Sequence, residues 1–500
     1  MFDSRKINEF LIEKLRNSFL LIDKVNEKPK QQALALPLPL TFIAYGKFLR
    51  AEFEIPHEIF PAELIKWLSL QEISQKMYWS ERDASYEVAG IGYADILLSD
   101  AGLFDKINNR LGINTGNNDR TQNPENQCLP VRYYGAIAFN ASDQIDEDWK
   151  VFGNSCFFVP MLELINSGGK KIFAVNIFTK DTSNIKNNNL KDMIATAIEL
   201  VEKLNFNGTA AVSGGNIAAA KTGFKLQVKR RIDNPSRRKW VKNINNAIKA
   251  FDNIGLEKIV LSRKTVFKTA ESINPFELLD ALRRVNIRTF NFCFENGSRT
   301  AFLGCSPELL YSRKDGRLYS EAVAGTVVSG STLREEKLFA SKLLHSEKDG
   351  EEYQFVYDCI KKDLNSIGTD FKVESEKEIL KLSYAQHIIS RFDCNLKNGI
   401  DDGQIIGTLH PTPAVGGFPK KDIKQHIKRY ERFSRGFYSG PVGWISADSA
   451  EFVVGIRSGL VNNNILILYS GAGIVKKSVA EMEWEEIENK IKPFLGLMQF

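Results

Sequence analysis

Apolar positions along this chain switch between a period near 3.6 and a period of two, and the switches mark out its elements. Within 6–26, Ile7, Phe10, Leu11, Leu15, Phe19 and Leu20 recur at helical spacing, which predicts an amphipathic helix. Residues 35–55 predict two strands, 76–83 with 86–92 a hairpin, and 94–112 a helix. The Asn-rich, aperiodic stretch 113–130 reads as a surface loop. Strands return at 131–139 and across 155–178, followed by a helix at 188–204. The polar, glycine-containing stretch 206–222 is the best candidate for a boundary, although strands on either side of it can share one sheet.

The pattern sharpens after residue 236. It predicts a helix at 237–252 ending near Gly255, a strand at 258–264, a helix at 275–285, and strands at 289–296 and 300–304. A long helix spans 332–366, with Gly350 as its natural break, and strands follow at 371–393. The Pro- and Gly-rich segment 407–417 is a loop. Strands at 437–446, 451–461 and 464–470 precede a last helix at 478–494. No repeat of 20–50 residues is present. The sum is an α+β chain with many long antiparallel strands.

Composition narrows the partners. The 500 residues are 43% hydrophobic and 26% charged, as in a globular protein, and the formal charge is +6. The basic clusters Lys229-Arg-Arg231 and Arg237-Arg-Lys239 carry no interleaved aromatics, so no nucleic-acid surface is expected. A mildly positive surface still helps to draw in a small polyanion. The six cysteines, Cys128, Cys156, Cys293, Cys305, Cys359 and Cys394, form no CxxC pair and read as reduced thiols of a cytoplasmic protein. The N-terminus carries charges where a signal peptide needs an apolar core, and no run approaches the roughly 18 apolar residues of a membrane helix.

The chain is organised around Phe302-Leu-Gly-Cys-Ser-Pro-Glu308, where two short strands flank a Ser306-Pro307 corner. An apolar strand that closes on Glu308 can bury a general acid, because burial raises a carboxyl pKa. A turn glutamate facing water has the same local sequence. In the last helix Ser478 and Glu481 have capping-box spacing, and Trp484, Ile487, Ile491 and Leu495 make an apolar stripe. Glu483, Glu486 and Lys490 share another face, which is either solvated or a hard-cation site.

Before that helix, Gly471-Ala-Gly473 is either a turn or an approach for an anion. Arg457 lies in an apolar strand and needs a carboxylate, from the protein or from a ligand. Glu352 shares its helix face with Phe355, Val356 and Cys359, so it takes a partner or a metal unless it snorkels to water. Lys258 opens the strand Ile-Val-Leu, where lysines are ordinarily solvated. As a base it must be neutral, and lowering its pKa from about 10.4 to about 7 takes about 4 kcal/mol of desolvation or nearby positive charge.

Taken together, Lys258-Ile-Val-Leu-Ser-Arg263, Phe302–Glu308, Glu321-Ala-Val-Ala-Gly-Thr326, the 410–417 loop, Gly436–Trp444, Ile456-Arg-Ser458 and Gly471–Gly473 with its helix resemble the chorismate-utilising enzymes. That group holds isochorismate, salicylate, anthranilate and aminodeoxychorismate synthases. The N-terminal half resembles it more loosely, through Tyr78-Trp79, Arg82-Asp83, Phe152-Gly153 and 157–164. The resemblance implies two large antiparallel β-sheets packed face to face with peripheral helices. Residues 1–235 would contribute strands and helices to that fold, and 236–496 would form the chorismate-binding catalytic part.

Within the group, His410-Pro-Thr-Pro-Ala-Val-Gly-Gly417 and Gly440-Pro-Val-Gly-Trp444 lean to the isochorismate synthases. The amino-transferring branches have glutamine where Lys258 stands. The resemblance therefore implies a Mg²⁺-dependent exchange of the C4 hydroxyl of chorismate for a C2 hydroxyl, with no amidotransferase subunit. It makes Lys258 the base that activates water and Glu308 the acid that protonates the leaving hydroxyl. Glu352, Glu483 and Glu486 become the Mg²⁺ shell, and Thr326, His410, Tyr438, Arg457, Gly471, Gly473 and Lys490 surround the substrate. Salicylate synthase, which continues by expelling pyruvate, is the alternative on the same scaffold. A non-catalytic binding subunit is a third reading, which the retained carboxylates and Lys258 argue against. One departure is Glu351-Glu352-Tyr353, where many relatives have His-Glu-His around the metal glutamate.

Overall fold

The computed structural model describes residues 3–25, 41–98, 101–113, 128–179, 188–207, 223–297, 299–330, 332–383 and 385–500. Its framework follows from runs that are apolar on both faces. The strand Ser155–Ser167 is buried through its first eleven residues, as expected for a central strand covered on both sides. Pro160 sits inside it and has no N–H to give; the register with the neighbouring strand Tyr86–Leu98 slips at that level, between Tyr93 and Asp95.

One ladder of neighbours runs Thr41–Tyr45, Phe48–Glu54, Lys170–Phe178, Ser155–Ser167, Tyr86–Leu98, Lys76–Ser80, Phe290–Glu295, Thr300–Ser306, Ser458–Asn462, Ile465–Ile474, Lys258–Thr269 and Leu226–Asn234. A second runs Tyr133–Ile137, Pro441–Ile445, Ser449–Val454, Leu309–Lys314, Arg317–Val328, Ala385–Leu396 and Gly368–Lys381. These pairings are antiparallel; Met498–Gln499 joins Leu226–Asn234 in parallel. The two expected sheets share one strand. Ser155–Ser167 pairs with Tyr133–Ile137 at its start and with Lys170–Phe178 at its end, so the hydrogen-bonded network is continuous.

Aromatic side chains fill the space between the layers. Trp79, Phe292 and Phe302 come from the first ladder, Tyr134, Val442 and Trp444 from the second. Trp149 plugs the gap, with ring centroids 5.4 Å from Phe302 and 5.2 Å from Phe437. Helices cover the outer faces. The last, Ala480–Leu495, is wedged between two cores: Ile491 and Phe494 enter one, Trp484 and Ile487 the other. That double anchorage fixes the face carrying Glu486 and Lys490.

The structure corrects several expected elements. The strand Tyr86–Leu98 runs on through part of the expected 94–112 helix, and only Leu103–Leu111 is helical. The expected 332–366 helix is two, Leu333–Leu344 and Glu347–Ile367. The break falls at Ser346, whose hydroxyl accepts from Asp349 N–H as a cap, and Gly350 lies inside the second helix. Helices Asp402–Leu409 and Ile423–Tyr430 and the strand Leu226–Asn234 were not expected. Ser478 does not form a capping box: its hydroxyl accepts from Val475 N–H, and Val479 precedes the helix. Most of the expected 113–130 loop and 206–222 boundary, and the start of 35–55, lie outside the described residues.

Candidate active site

The Ser306-Pro307-Glu308 corner is held from both sides. Ser306 Oγ donates to Val454 O at 2.6 Å and accepts from Glu308 N–H, while Val454 N–H donates to Glu308 O at 3.0 Å. These bonds leave the Glu308 side chain on the wall of a cavity of about 180 Å³. Glu308 is 7% exposed. Burial pushes its carboxyl up to about 7; the charge of Glu321 adds to the push, while Lys258, Lys490 and Arg82 oppose it. Glu308 is thus buried at this corner and does not face water.

Other elements bring further groups to the same cavity. Helix Glu347–Ile367 supplies Glu352 and, one turn earlier, Asp349. The last helix supplies Glu486 and Lys490, the strands supply Thr326, Gly471 and Gly473, and the connections between strands supply Tyr438 and Arg457. Lys490 Nζ donates to Gly471 O at 2.8 Å and pairs with Glu486 at 2.7 Å. Tyr438 stacks on Tyr469 with ring centroids 5.4 Å apart.

Lys258 stands just behind this wall. It is buried, and its Nζ donates to Glu352 Oε1 at 2.8 Å. Gly473 makes room for it: a Cβ there would lie 2.7 Å from Lys258 Cε and 3.6 Å from Glu352 Oε1. Register explains the meeting, since Gly473 pairs with Val260, two residues along from Lys258. The solvated-lysine reading therefore does not apply.

Arg457 adopts a left-handed backbone with φ of 52°, a costly state for a side chain of this size. Its Nη1 donates to Lys490 O at 2.9 Å. Among the described residues no carboxylate lies within ion-pairing distance of it, so the protein partner expected for it is a carbonyl. Burial lowers its pKa.

Besides Lys258, two expected residues are not on the cavity wall. His410 Nε2 meets Phe139 O at 3.0 Å and its ring packs edge-on to Phe139. Its place is therefore structural, because the 410–417 loop turns that side chain away from the cavity. Glu483 is 3% exposed and lies behind the wall that carries Glu486.

The sequence reading missed His387 and Asp349. His387 lines the cavity, with Nδ1 3.1 Å from both Thr326 Oγ1 and Gly325 O, and burial pushes its pKa down to about 4. It faces Thr326 across the pair of strands Arg317–Val328 and Ala385–Leu396, a register no local pattern reveals. Asp349 was within reach, because it stands three residues before Glu352 on one helix.

A model of the chorismate binding enzyme family matches residues 47–499. The chain belongs to the chorismate-binding enzyme family. Its relatives within the family include the chloroplastic isochorismate synthase of Catharanthus roseus, 31% identical over 74% of this chain and 63% of that protein. The isochorismate synthase MenF of Escherichia coli is 28% identical over 87% of this chain and 91% of its own length. The solved structure of that menaquinone-specific enzyme matches with a TM-score of 0.76 at 27% identity, covering 98% of this chain and all of that one. Anthranilate synthase component I of Streptococcus pneumoniae shares the fold, with a TM-score of 0.61 at 19% identity. The chain spans 63% of the length of the plant relatives it matches.

Proposed function

We propose that this chain is an isochorismate synthase, exchanging the C4 hydroxyl of chorismate for a C2 hydroxyl. The observation that carries the reading is the meeting, at one cavity, of a buried glutamate held near pH 7 with a buried lysine and a cationic cradle. Lys258 takes a proton from water as the C2–O bond forms and the ring double bonds shift. Glu308 gives its proton to the C4 hydroxyl, which leaves as water. Arg457, Lys490 and the backbone at Gly471 and Gly473 hold the substrate's carboxylates, with Thr326 and Tyr438 beside them. Neutral His387 can donate or accept at Thr326 without adding charge.

The acid side chains suit a magnesium ion. Glu352 and Glu486 line the cavity from two helices, and each is balanced here by an ammonium, Lys258 or Lys490. Among the described residues no three His, Cys, Asp or Glu side chains converge into a closed metal cage. Two carboxylates that leave room for water and substrate oxygens are a donor set for Mg²⁺ rather than for zinc. Glu352 and Glu486 would hold it, with Asp349 on the same wall and Glu483 off it, and it would supply positive charge to the substrate carboxylate. For Lys258 to accept a proton, its ammonium must first leave Glu352 and lose its own extra proton, so that the amine meets the water neutral.

Water as nucleophile leaves no role for an amidotransferase subunit. The six free thiols support a reducing compartment such as the cytoplasm, and no described helix is long and apolar enough to cross a membrane.

Incubation of the purified chain with chorismate and Mg²⁺ tests the reading. Isochorismate should accumulate by chromatography, and chelation should stop it. Strong salicylate fluorescence without an added lyase would favour pyruvate elimination, ammonium-dependent amination would favour the amino-transferring branch, and no turnover at all would sink the proposal.

A further inference from the structure

The corner that carries Glu308 is held by a residue from the first half of the chain. Arg82 lies in the turn after the strand Lys76–Ser80, about 225 residues before the acid corner. Its Nη1 donates to Glu321 Oε1 at 2.9 Å, and its Nη2 to Glu321 Oε2 at 2.8 Å and to Pro307 O at 2.6 Å. The guanidinium also lies over the Phe290 ring, 4.9 Å from its centroid. Arg82 thus holds the carbonyl that immediately precedes Glu308 and, with the same planar fork, the Glu321 carboxylate, which is 6% exposed.

We infer that Arg82 and Glu321 form a positioning pair for the acid: Arg82 fixes the corner that carries Glu308, and the two opposite charges set the field in which its proton is held. This rests on the role given to Glu308 above. Glu321 alone would push the proton onto Glu308 more firmly, while Arg82 opposes that push directly and by neutralising Glu321 together with the more distant Arg391, whose Nε lies 3.7 Å from Glu321 Oε1. The other charges facing Glu308 are Lys258 from its strand and Lys490 and Glu486 from the last helix. Across the cavity stand Asp349 and Glu352 on one helix, His387 on a strand, and Tyr438 and Arg457 in the connections between strands. Neither member of the pair lines the cavity, so neither touches substrate.

The pair is distinguished from a merely structural ion pair by the alkaline limb of the kcat/KM profile, where Glu308 loses its proton. Arg82→Ala should lower kcat by about 100-fold, as expected for a displaced catalytic group, and move the limb to higher pH. Glu321→Gln should move the limb to lower pH. Arg82→Lys keeps the charge but cannot hold both partners, so it should lower kcat while leaving the limb near its wild-type position. Coincident limbs in wild type, Arg82→Ala and Glu321→Gln, or shifts of the same sign in both variants, would overturn the inference. Glu321→Gln and Arg82→Lys carry the test if Arg82→Ala does not fold.

The same question has an answer without turnover. The difference in melting temperature between each protein and its Glu308→Gln derivative, followed against pH, reports the ionisation of Glu308. Its inflection should move up in Arg82→Ala and down in Glu321→Gln even if chorismate is not the substrate, and an unmoved inflection would again overturn the inference.

Discussion

The Lys258 ammonium donates to Glu352 Oε1 at 2.8 Å from a space that exists only because residue 473 is glycine. Gly473→Ala would put a methyl 2.7 Å from Lys258 Cε, with the lysine already fully buried and unable to retreat to water. The variant should fold, with an unchanged circular dichroism spectrum, and lose about 100-fold in kcat, the usual cost of displacing a reacting group by an ångström. Wild-type kcat in this variant would mean that the Lys258 position does not matter.

Lys258→Ala should lower kcat by 10² to 10⁴, roughly the range for loss of a general base. It also removes the ammonium that balances Glu352, so Mg²⁺ affinity should hold or rise. Glu486→Ala should act in the opposite sense and weaken Mg²⁺ binding first. Calorimetric titration with Mg²⁺ in the presence of chorismate separates the two; equal losses of affinity would contradict the roles assigned.

Glu308 makes a prediction about stability as well as rate. Its folded pKa, about 7, lies above its ordinary value of 4.5, so between those limits the folded chain binds the extra proton. Stability from this group is therefore full below pH 4.5 and falls as pH rises through 7, by up to about 3 kcal/mol. Glu308→Gln should abolish turnover and melt higher than wild type at pH 8, with the gap closing towards pH 5. A gap that does not depend on pH would show that the carboxyl is not held protonated.

His410→Ala tests the placement of that ring outside the cavity. It should leave KM and kcat within about twofold and cost about 1 kcal/mol or more of stability, for one hydrogen bond and its packing on Phe139. A rise in KM at unchanged stability would return His410 to the substrate.

The elements that sequence revealed are those whose signal is local. The helix Pro275–Val285 has Asn274 as its cap and a proline at its first position, and its limits were readable to the residue. The Ser306-Pro307 corner was readable because proline restricts its neighbour. Burial of Lys258 was not, because it depends on Gly473, more than 200 residues away, pairing with Val260 two residues along. His387 was hidden for the same reason. His410 was placed by resemblance of its motif, while the direction of its side chain follows from a loop and from Phe139. Asp402–Leu409 and Ile423–Tyr430, eight residues each, are too short for periodicity to separate from a loop.

The strand partnerships also govern how this chain can be made. Lys76–Ser80 waits for Phe290–Glu295, and Tyr133–Ile137 for Pro441–Ile445. While the ribosome is still translating the middle of the message, the first half presents unpaired strand edges whose partners do not yet exist. Topology of this kind slows folding and exposes the nascent chain to association with its neighbours. Expression at low temperature, or with chaperones that shield open edges, should therefore raise the soluble yield more than any substitution at the cavity.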